Sequence, residues 1–149
     1  MAEETAEKPA TVEKFLVFTI RGRLYALPSK VINEVAGLDR VFPLPLVPAY
    51  VRGIINRYTA PYALVDICFL LYKESSSAQK VIVIKEEIDK LAFLIDDVTD
   101  IADVPAEMLL KIDREETAAV SSFFEWKGAQ VFCLELEEII KTIRNDFDN

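Results

Sequence analysis

Short apolar runs separated by turns are the feature that most constrains what this chain can fold into. The runs are rich in Val, Ile, Leu, Phe and Tyr, residues that favour a pleated, half-buried sheet. None approaches the ~18–20 residues that a membrane-spanning helix needs. Six of the runs form three pairs with a turn between the members, at residues 15–20 and 24–27, 80–85 and 90–95, and 120–126 and 129–135. The chain is therefore predicted to be mainly β, with three hairpins, the first of them closed by the three-residue loop 21–23.

A fourth strand pair is predicted at the centre of the chain, where residues 54–56 and 62–65 are apolar and a polar turn joins them. The turn lacks an Asn-Gly or Asp-Gly pair, which disfavours a two-residue loop and favours a longer one. Pro61 has no N–H to donate, so we expect it at a strand start or on a sheet edge. Asp66 ends the second strand and can cap the apolar helical turn that follows it.

The last element is predicted to be a helix. Leu136, Ile139, Ile140 and Ile143 recur at i, i+3, i+4 and i+7, which places them on one buried face. Glutamates near its start and basic residues near its end suit the helix dipole.

Three prolines interrupt residues 41–48. Each lacks an N–H and biases the residue before it toward an extended conformation, so this stretch is predicted to be a stiff connector or an edge strand. A proline-rich docking segment is the functional alternative. It is the weaker interpretation, because Leu44, Leu46 and Val47 are expected to point into a core.

The serine-rich residues 74–77 are the best internal boundary. The halves on either side both open with a hairpin, and residues 62–71 and 131–140 both run from an apolar strand through an acidic residue into a helix. We therefore expect two similar lobes, roughly residues 15–74 and 78–145, each a small five-stranded barrel.

The residue types exclude several classes of function. The net charge of −8 disfavours contact with nucleic-acid phosphates. The chain has no histidine, so a histidine triad, general base or metal ligand is impossible within it. Cys68 and Cys133 lie in apolar runs and are interpreted as buried hydrophobes, because they lack the spacing and additional ligands of a metal or redox site. The pair Asp96-Asp97 is interpreted as a solvated turn, with a metal-ligand pair as the alternative.

The N-terminal residues 1–14 are polar and rich in glutamate. They lack the basic start and apolar core of a signal peptide. We expect a flexible leader ahead of one domain over residues 15–149, and a protein that resides in the cytoplasm.

The central stretch resembles the main motif of the CheW family, the adaptor proteins of bacterial chemotaxis arrays. The matching residues are Gly53, Ile54, Ile55, Asn56, Leu64, Val65, Asp66 and Ile67. Four residues depart from the pattern: Arg57, Tyr58, Thr59 and Ala63 stand where the family usually has Leu, Arg, Gly and Pro. The resemblance covers most of the chain, because further motifs between Phe15 and Ile143 follow in the family's order and spacing.

This resemblance implies two packed SH3-like β-barrel lobes with short helices and a C-terminal helix. It implies no catalytic activity, and neither a cofactor nor a metal is expected. The implied partners are the regulatory domain of the histidine kinase CheA and the cytoplasmic tips of methyl-accepting chemotaxis receptors. A free-standing adaptor is expected, without insertion into the membrane and monomeric when isolated.

The resemblance also supplies candidate partner-binding residues, each at a position of the family pattern: Ile32, Glu34, Val35, Arg57, Tyr58 and Val98. For the three aliphatic residues, packing in a lobe core is an equally good interpretation, and residues such as Glu34 and Arg57 are more often simply solvated charges. Tyr58 replaces a guanidinium fork by a hydroxyl and an apolar ring. The hypothesis is a variant partner, or the use of Arg57 as the donor.

Two other classes of function are alternatives to an adaptor. A small barrel could bind an apolar ligand among its aromatic side chains, which are Phe15, Phe18, Tyr25, Phe93, Phe123, Phe124, Trp126 and Phe132. Barrels of this size fill with their own side chains, which disfavours the idea. An enzyme is less favoured still, since no pair of carboxylate, Tyr or Lys side chains forms a recognisable catalytic constellation.

Overall fold

The computed structural model describes residues 11–112 and 119–148, which form two β-sheets, short helical segments and a C-terminal helix. The strands are β1 (Val12–Ile20), β2 (Arg23–Pro28), β3 (Ile32–Gly37), β4 (Val51–Arg57), β5 (Ala60–Asp66), β6 (Lys80–Ile84), β7 (Leu91–Ile95), β8 (Asp97–Pro105), β9 (Leu110–Lys111), β10 (Val120–Trp126) and β11 (Ala129–Leu134). The α-helices are α1 (Ile67–Tyr72) and α2 (Leu136–Asp148), and 3-10 turns occur at Ser29–Val31 and Ala106–Met108. The mainly β fold class is confirmed.

The two sheets share one pattern of strand pairing. Sheet I has the order β8-β1-β2-β11-β10-β9, and sheet II has the order β3-β6-β7-β5-β4. Along the first five strands of each order, the pairings are antiparallel, antiparallel, parallel and antiparallel. Sheet I is therefore a five-stranded unit like sheet II, extended by the two-residue strand β9.

Each sheet takes strands from both halves of the sequence. The hairpin β1–β2 of the first half lies in sheet I with β8 to β11, and the hairpin β6–β7 of the second half lies in sheet II with β3 to β5. The boundary at residues 74–77 thus separates two similar sequence halves, and the sheets do not follow the expected lobes 15–74 and 78–145. In addition, β1 begins at Val12, inside the expected leader, and residues 1–10 lie outside the described part.

The exchanged hairpins are apolar on both faces, and this explains the exchange. On β1, Phe15 and Val17 pack inside sheet I, whereas Phe18 packs in a larger cluster that includes residues of both sheets. On β6, Val83 packs inside sheet II, whereas Ile82 joins the larger cluster. We call this larger cluster the shared core. It includes Leu16, Phe18, Ile20 and Leu27 of sheet I, Val65, Ile82, Ile84, Phe93 and Ile95 of sheet II, and Ile67, Leu136, Ile139 and Ile143 of the helices.

Sheet II closes on itself because the chain after β3 crosses to the opposite edge of the sheet. Phe42 and Ile54 exchange two backbone hydrogen bonds of 2.8 Å each, which attach the β3–β4 connection to β4. The close approach requires a glycine at position 53, whose φ is 141°. A Cβ atom there would lie 2.3 Å from the carbonyl oxygen of Phe42.

Three hairpins have two-residue turns, at Arg21-Gly22, Tyr58-Thr59 and Lys127-Gly128, and both residues of each turn have positive φ. The expected three-residue loop at 21–23 is wrong, because Arg23 already pairs with Ile20. The expected longer loop in the central hairpin is also wrong, since Arg57 pairs directly with Ala60. Positive φ at both turn positions matches the right-handed twist of the flanking strands.

Asp66 caps α1, as its position predicts. Its side chain accepts hydrogen bonds from the backbone N–H groups of Phe69, at 3.2 Å, and Ser76, at 2.9 Å, and Arg52 Nη1 lies 3.1 Å from Oδ2. Asp66 is fully buried, so these donors replace the water that a carboxylate otherwise binds. Pro61 also lies as expected at the start of β5, ahead of Ala63, where the pairing with β7 begins.

The predicted C-terminal helix is α2, and Leu136, Ile139 and Ile143 on its inner face are buried in the shared core. Cys68 and Cys133 are buried free thiols, as interpreted from their apolar neighbours. Burial raises the pKa of the Cys133 thiol to about 11, so this sulfur stays protonated and unreactive at neutral pH.

The connection between β3 and β4 departs from expectation. Val47 packs against the shared core, but Leu44 is 41% exposed and Leu46 is fully exposed. Leu46 follows Pro45 in a turn and has a φ of 58°, which carries its side chain away from the protein.

Gly53→Ala is expected to lower the free energy of unfolding by about 2–4 kcal/mol, because the added methyl overlaps the Phe42 carbonyl and the backbone has positive φ. Urea unfolding followed by circular dichroism measures the change. Gly37→Ala is the matched control, since a Cβ there meets no atom within 4 Å, and it should stay within about 0.5 kcal/mol of the parent. Equal effects of the two substitutions would contradict the closure of sheet II at Gly53.

Candidate functional site

Three of the six candidate residues come together in the structure. Glu34, Arg57 and Tyr58 meet in one cluster, described below. Ile32, at the start of β3, and Val98, on β8, are partly buried and pack against the shared core from different sheets. Val35 on β3 is 39% exposed.

Glu34 and Arg57 join the two edges of sheet II. Glu34 lies on β3 and Arg57 ends β4, and these strands stand at opposite ends of the strand order. Arg57 donates from Nε to Glu34 Oε1 at 3.1 Å and also from Nη2 to the same oxygen. A charge-assisted pair of this kind is stronger than a neutral hydrogen bond, and here it completes the roll that begins at Phe42.

The Tyr58 hydroxyl is the third member of the cluster. Its hydrogen bond to Glu34, together with the Arg57 guanidinium, lowers the pKa of the Glu34 carboxyl, and the same hydrogen bond raises the pKa of Tyr58. The Arg57 guanidinium carbon lies 5.7 Å from the centre of the Tyr58 ring, within range of a cation–π contact. Glu34 is therefore a carboxylate at neutral pH and cannot serve as a general acid.

The cluster presents an aromatic ring to solvent on an unusual turn. Tyr58 is 55% exposed. Tyr58 and Thr59 have φ values of 53° and 61°, a region that L-residues enter at a cost of roughly 1–2 kcal/mol each. Thr59 is the less favourable of the two, because β-branched side chains are rarely found there. It stands where the family pattern has glycine, the residue that adopts positive φ most readily.

A cleft of about 310 Å³ adjoins the cluster through Arg57. Its lining consists of Gly37, Asp39, Arg40, Phe42, Ile55, Asn56, Arg57 and Val81. Sequence reasoning missed Arg40 and Phe42, and only the charge of Arg40 beside an aromatic residue could have indicated them.

The interiors of the sheets are filled by their own side chains. Of the aromatic residues suggested for an apolar ligand site, Phe15, Phe18, Phe93 and Phe124 are buried, and the rings of Phe15 and Phe124 pack 5.4 Å apart. These side chains form the cores described above.

Sheet I repeats the cluster with different residues. Asp100 on β8 accepts a 2.7 Å hydrogen bond from Trp126 Nε1 and pairs with Lys127 Nζ at 2.8 Å, and Lys127 lies in the β10–β11 turn. In the common pairing pattern, β8 and β10 of sheet I correspond to β3 and β4 of sheet II. Lys127, with help from Trp126, lowers the pKa of Asp100 to about 2. Each sheet thus links its outer strands through a carboxylate, a basic residue and an aromatic residue.

The two adjacent acids Asp96 and Asp97 are engaged within the protein. Asp96 accepts a 2.8 Å hydrogen bond from the backbone N–H of Arg21, and Asp97 pairs with Lys80 at 2.6 Å. Across residues 11–112 and 119–148, no group of three or more Cys, Asp or Glu side chains could hold a metal ion. No helix within these ranges is long and apolar enough to cross a membrane.

Thr59→Gly is expected to raise the free energy of unfolding by about 0.5–1 kcal/mol, because glycine adopts positive φ without steric cost but loses more entropy on folding. Chemical denaturation measures the gain. Thr59→Ala keeps the Cβ atom and is the control, so it should gain less than Thr59→Gly. A glycine variant no more stable than the alanine variant would argue against strain at this turn.

Asp100→Asn is expected to change how the stability of the protein depends on pH. The pKa of Asp100 is depressed in the folded protein, so its carboxylate stabilises the fold above about pH 4, and this contribution disappears as the pH falls toward 2. The difference in urea midpoint between wild type and Asp100→Asn should therefore narrow from pH 5 to pH 2. Asp103→Asn on the same strand controls for the lost charge. A difference that stays constant over this range would be inconsistent with the Asp100–Lys127 pair.

Comparisons with known proteins identify the family of this arrangement. The scaffolding protein TtCheW from Thermoanaerobacter tengcongensis has the same fold, with a TM-score of 0.76 and 17% sequence identity over 86% of this chain and 87% of that chain. No curated protein matches the sequence. The family model for the CheW-like domain matches residues 14–144. Because that match spans most of the sequence, the chain belongs to the CheW-like domain family.

Proposed function

We propose that this protein is a non-catalytic chemotaxis adaptor that couples methyl-accepting chemoreceptors to the histidine kinase CheA in the cytoplasm. The observation that carries the proposal is the family match over residues 14–144. It is supported by the two-sheet fold that the chain shares with a scaffolding protein.

The chemistry of the candidate site suits binding better than catalysis. Glu34 and Arg57 neutralise one another, and the exposed Tyr58 ring adds apolar surface beside them. An apolar centre with a polar rim is typical of protein–protein interfaces. The cluster offers no carboxyl with a raised pKa and no activated nucleophile.

We propose that the candidate residues serve two different partners. Ile32 and Val98 come from different sheets and are only partly buried where they pack against the shared core. They lie where the two sheets meet at the shared core, and there we assign the groove for a receptor tip. We assign Val35 to the same contact. We assign the Tyr58 turn with Glu34 and Arg57 to the regulatory domain of CheA.

Tyr58 is proposed to contact the partner through its ring. The guanidinium of Arg57 is already bound to Glu34, so a partner carboxylate would have to compete for it. Arg57 then acts mainly by holding Glu34 and the ring in place. This arrangement favours a partner that offers an apolar or aromatic contact where other family members meet a guanidinium.

Sedimentation velocity with purified fragments tests the adaptor function. The protein, expected to be monomeric alone, is mixed with the CheA regulatory domain and with a receptor cytoplasmic fragment from the same genome, separately and together. Two binary complexes and one ternary complex are expected. The proposal is refuted if the protein binds neither fragment at tens of micromolar.

Tyr58→Ala is expected to weaken binding of the CheA regulatory domain at least fivefold, about 1 kcal/mol, because it removes the exposed ring. Tyr58→Phe is the matched control and should retain most of the affinity. Arg57→Ala should also weaken binding, since it releases Glu34 and the ring. Titration calorimetry measures all three. If both alanine variants stay within twofold of wild type, the turn is not a contact.

A further inference from the structure

The two halves of the sequence, residues 1–76 and 77–149, interlock in the structure. Four strand pairings join them: β1 with β8, β2 with β11, β3 with β6, and β5 with β7. The shared core also contains side chains of both halves, such as Phe18 of the first and Ile82 of the second. Each half therefore presents strand edges and an apolar face that the other half completes.

The connection between the halves has a narrow seam at Ser77. Before the seam, the Ser76 N–H donates to Asp66 at 2.9 Å, and Arg52 donates to the Ser76 carbonyl at 3.1 Å, so both contacts lie within the first half. After the seam, β6 begins and pairs with β3 and β7. Ser77 itself is exposed. A change of chain direction there leaves these contacts intact and gives up the 2.9 Å hydrogen bond from the Ala78 N–H to Ser76 Oγ.

We propose that this chain has a second folded form, a dimer in which two copies exchange their halves at Ser77. The partner is a second copy of the same chain, because the strand edges and apolar face of one half fit the other half in either copy. Such a dimer contains all four pairings and the shared core twice. When unfolded chains are concentrated, this exchange competes with closure of each chain on itself.

Protein concentration decides between the two forms. A short connection holds its two ends at an effective concentration in the millimolar range. The closed monomer therefore dominates when dilute chains fold, and the exchanged dimer forms when chains fold at about 1 mM. Once formed, the dimer persists, because its dissociation requires all four pairings to break in both folded units.

The exchange changes the composition of the groove that is proposed for a receptor tip. Ile32 belongs to the first half and Val98 to the second, so each groove of the dimer takes one of these residues from each copy. Glu34, Arg57 and Tyr58 all belong to the first half and stay within one copy. The dimer thus carries each proposed binding surface twice and is a bivalent form of the adaptor. This consequence rests on the proposed function, whereas the exchange itself does not.

An engineered disulfide between the halves distinguishes exchange from ordinary association. Lys14 on β1 and Asp103 on β8 are directly opposite one another, and their side chains pair at 2.8 Å. Opposed residues on antiparallel strands have a Cα separation that a disulfide can bridge. In the double variant Lys14→Cys/Asp103→Cys, the bond closes one chain on itself in the monomer but joins two chains in the exchanged dimer.

Wild type and the double variant are unfolded in urea and refolded at about 10 μM and at about 1 mM. About 0.5 M salt is added to screen the repulsion between chains of net charge −8. Size-exclusion chromatography with light scattering separates monomer from dimer, and a non-reducing denaturing gel, run after alkylation of the remaining thiols, shows which chains are joined.

At about 1 mM, at least a fifth of the chains are expected in a dimer that the disulfide makes covalent, against less than a twentieth at about 10 μM. The two single-cysteine variants are the matched controls and should give no covalent dimer.

A shortened seam provides a second variant. Asp66 holds Ser76 at the end of β5, and Lys80 begins β6, which lies two strands and about 10 Å away across β7. Deletion of residues 77 and 78 leaves two chain steps, about 7 Å at full extension, between Ser76 and Lys80. Because this length is shorter than the crossing, the shortened chain is expected to be mainly dimeric already at about 10 μM.

The outcomes separate this inference from the proposed function. A dimer whose disulfides lie within single chains is an ordinary association and overturns the exchange, and so does the lack of a dimer from wild type at about 1 mM. If concentrated wild type precipitates, the shortened chain decides, and a folded monomer at about 10 μM overturns the exchange. The adaptor function is tested with the monomer fraction, the CheA regulatory domain and the receptor fragment, so either proposal can fail while the other stands.

Discussion

The shared core is the interaction on which the rest of the structure depends. Strands β1 and β6 bury one face inside their own sheet and the other face against residues from the opposite sheet, as Phe18 and Ile82 show. A hairpin that is apolar on both faces cannot remain at the surface of either sheet, so it must lie between two layers of protein. The exchange of hairpins between the sequence halves satisfies this requirement for both sheets at once.

The exchange leaves the outer edges of each sheet to be joined by polar contacts. In sheet I, Asp100 links β8 to the β10–β11 hairpin, and in sheet II, Glu34 links β3 to the β4–β5 hairpin. The first contact includes a tryptophan and the second an exposed tyrosine on a strained turn. The proposed binding surface is thus built from the same residues that close sheet II, which couples its shape to the integrity of the sheet. Substitutions at Glu34 should therefore be interpreted with a stability measurement beside them.

Local patterns predicted much of the fold because they depend on neighbouring residues. The hairpins, the Asp66 cap and the buried face of α2 follow from alternation, capping and helical spacing. The prediction of a longer loop at Tyr58-Thr59 is wrong, because strand pairing on either side imposes positive φ on residues that do not prefer it. The prediction that Leu46 points into a core is wrong, because the pairing of Phe42 with Ile54 determines the course of the loop.

Pairings between distant strands could not be derived from local signals. Nothing near β2 or β11 indicates that they lie side by side in parallel, and the exchange of hairpins depends on that choice. The candidate residues came from the family pattern, but the contact of Glu34 with Arg57, 23 residues apart, exists only once sheet II has closed. Apart from the charge of Arg40 beside an aromatic residue, the sequence carries no signal for Arg40 and Phe42, because exposure is decided by the complete fold.

Separating the two sequence halves tests the hairpin exchange most directly. The chain is divided after Ser76, and residues 1–76 and 77–149 are produced alone and together. If each sheet needs strands from both halves, neither fragment alone should unfold cooperatively in urea. The mixture should form a one-to-one complex with the circular dichroism spectrum of the intact protein. Cooperative unfolding of either fragment by itself would contradict the exchange and the shared core built on it.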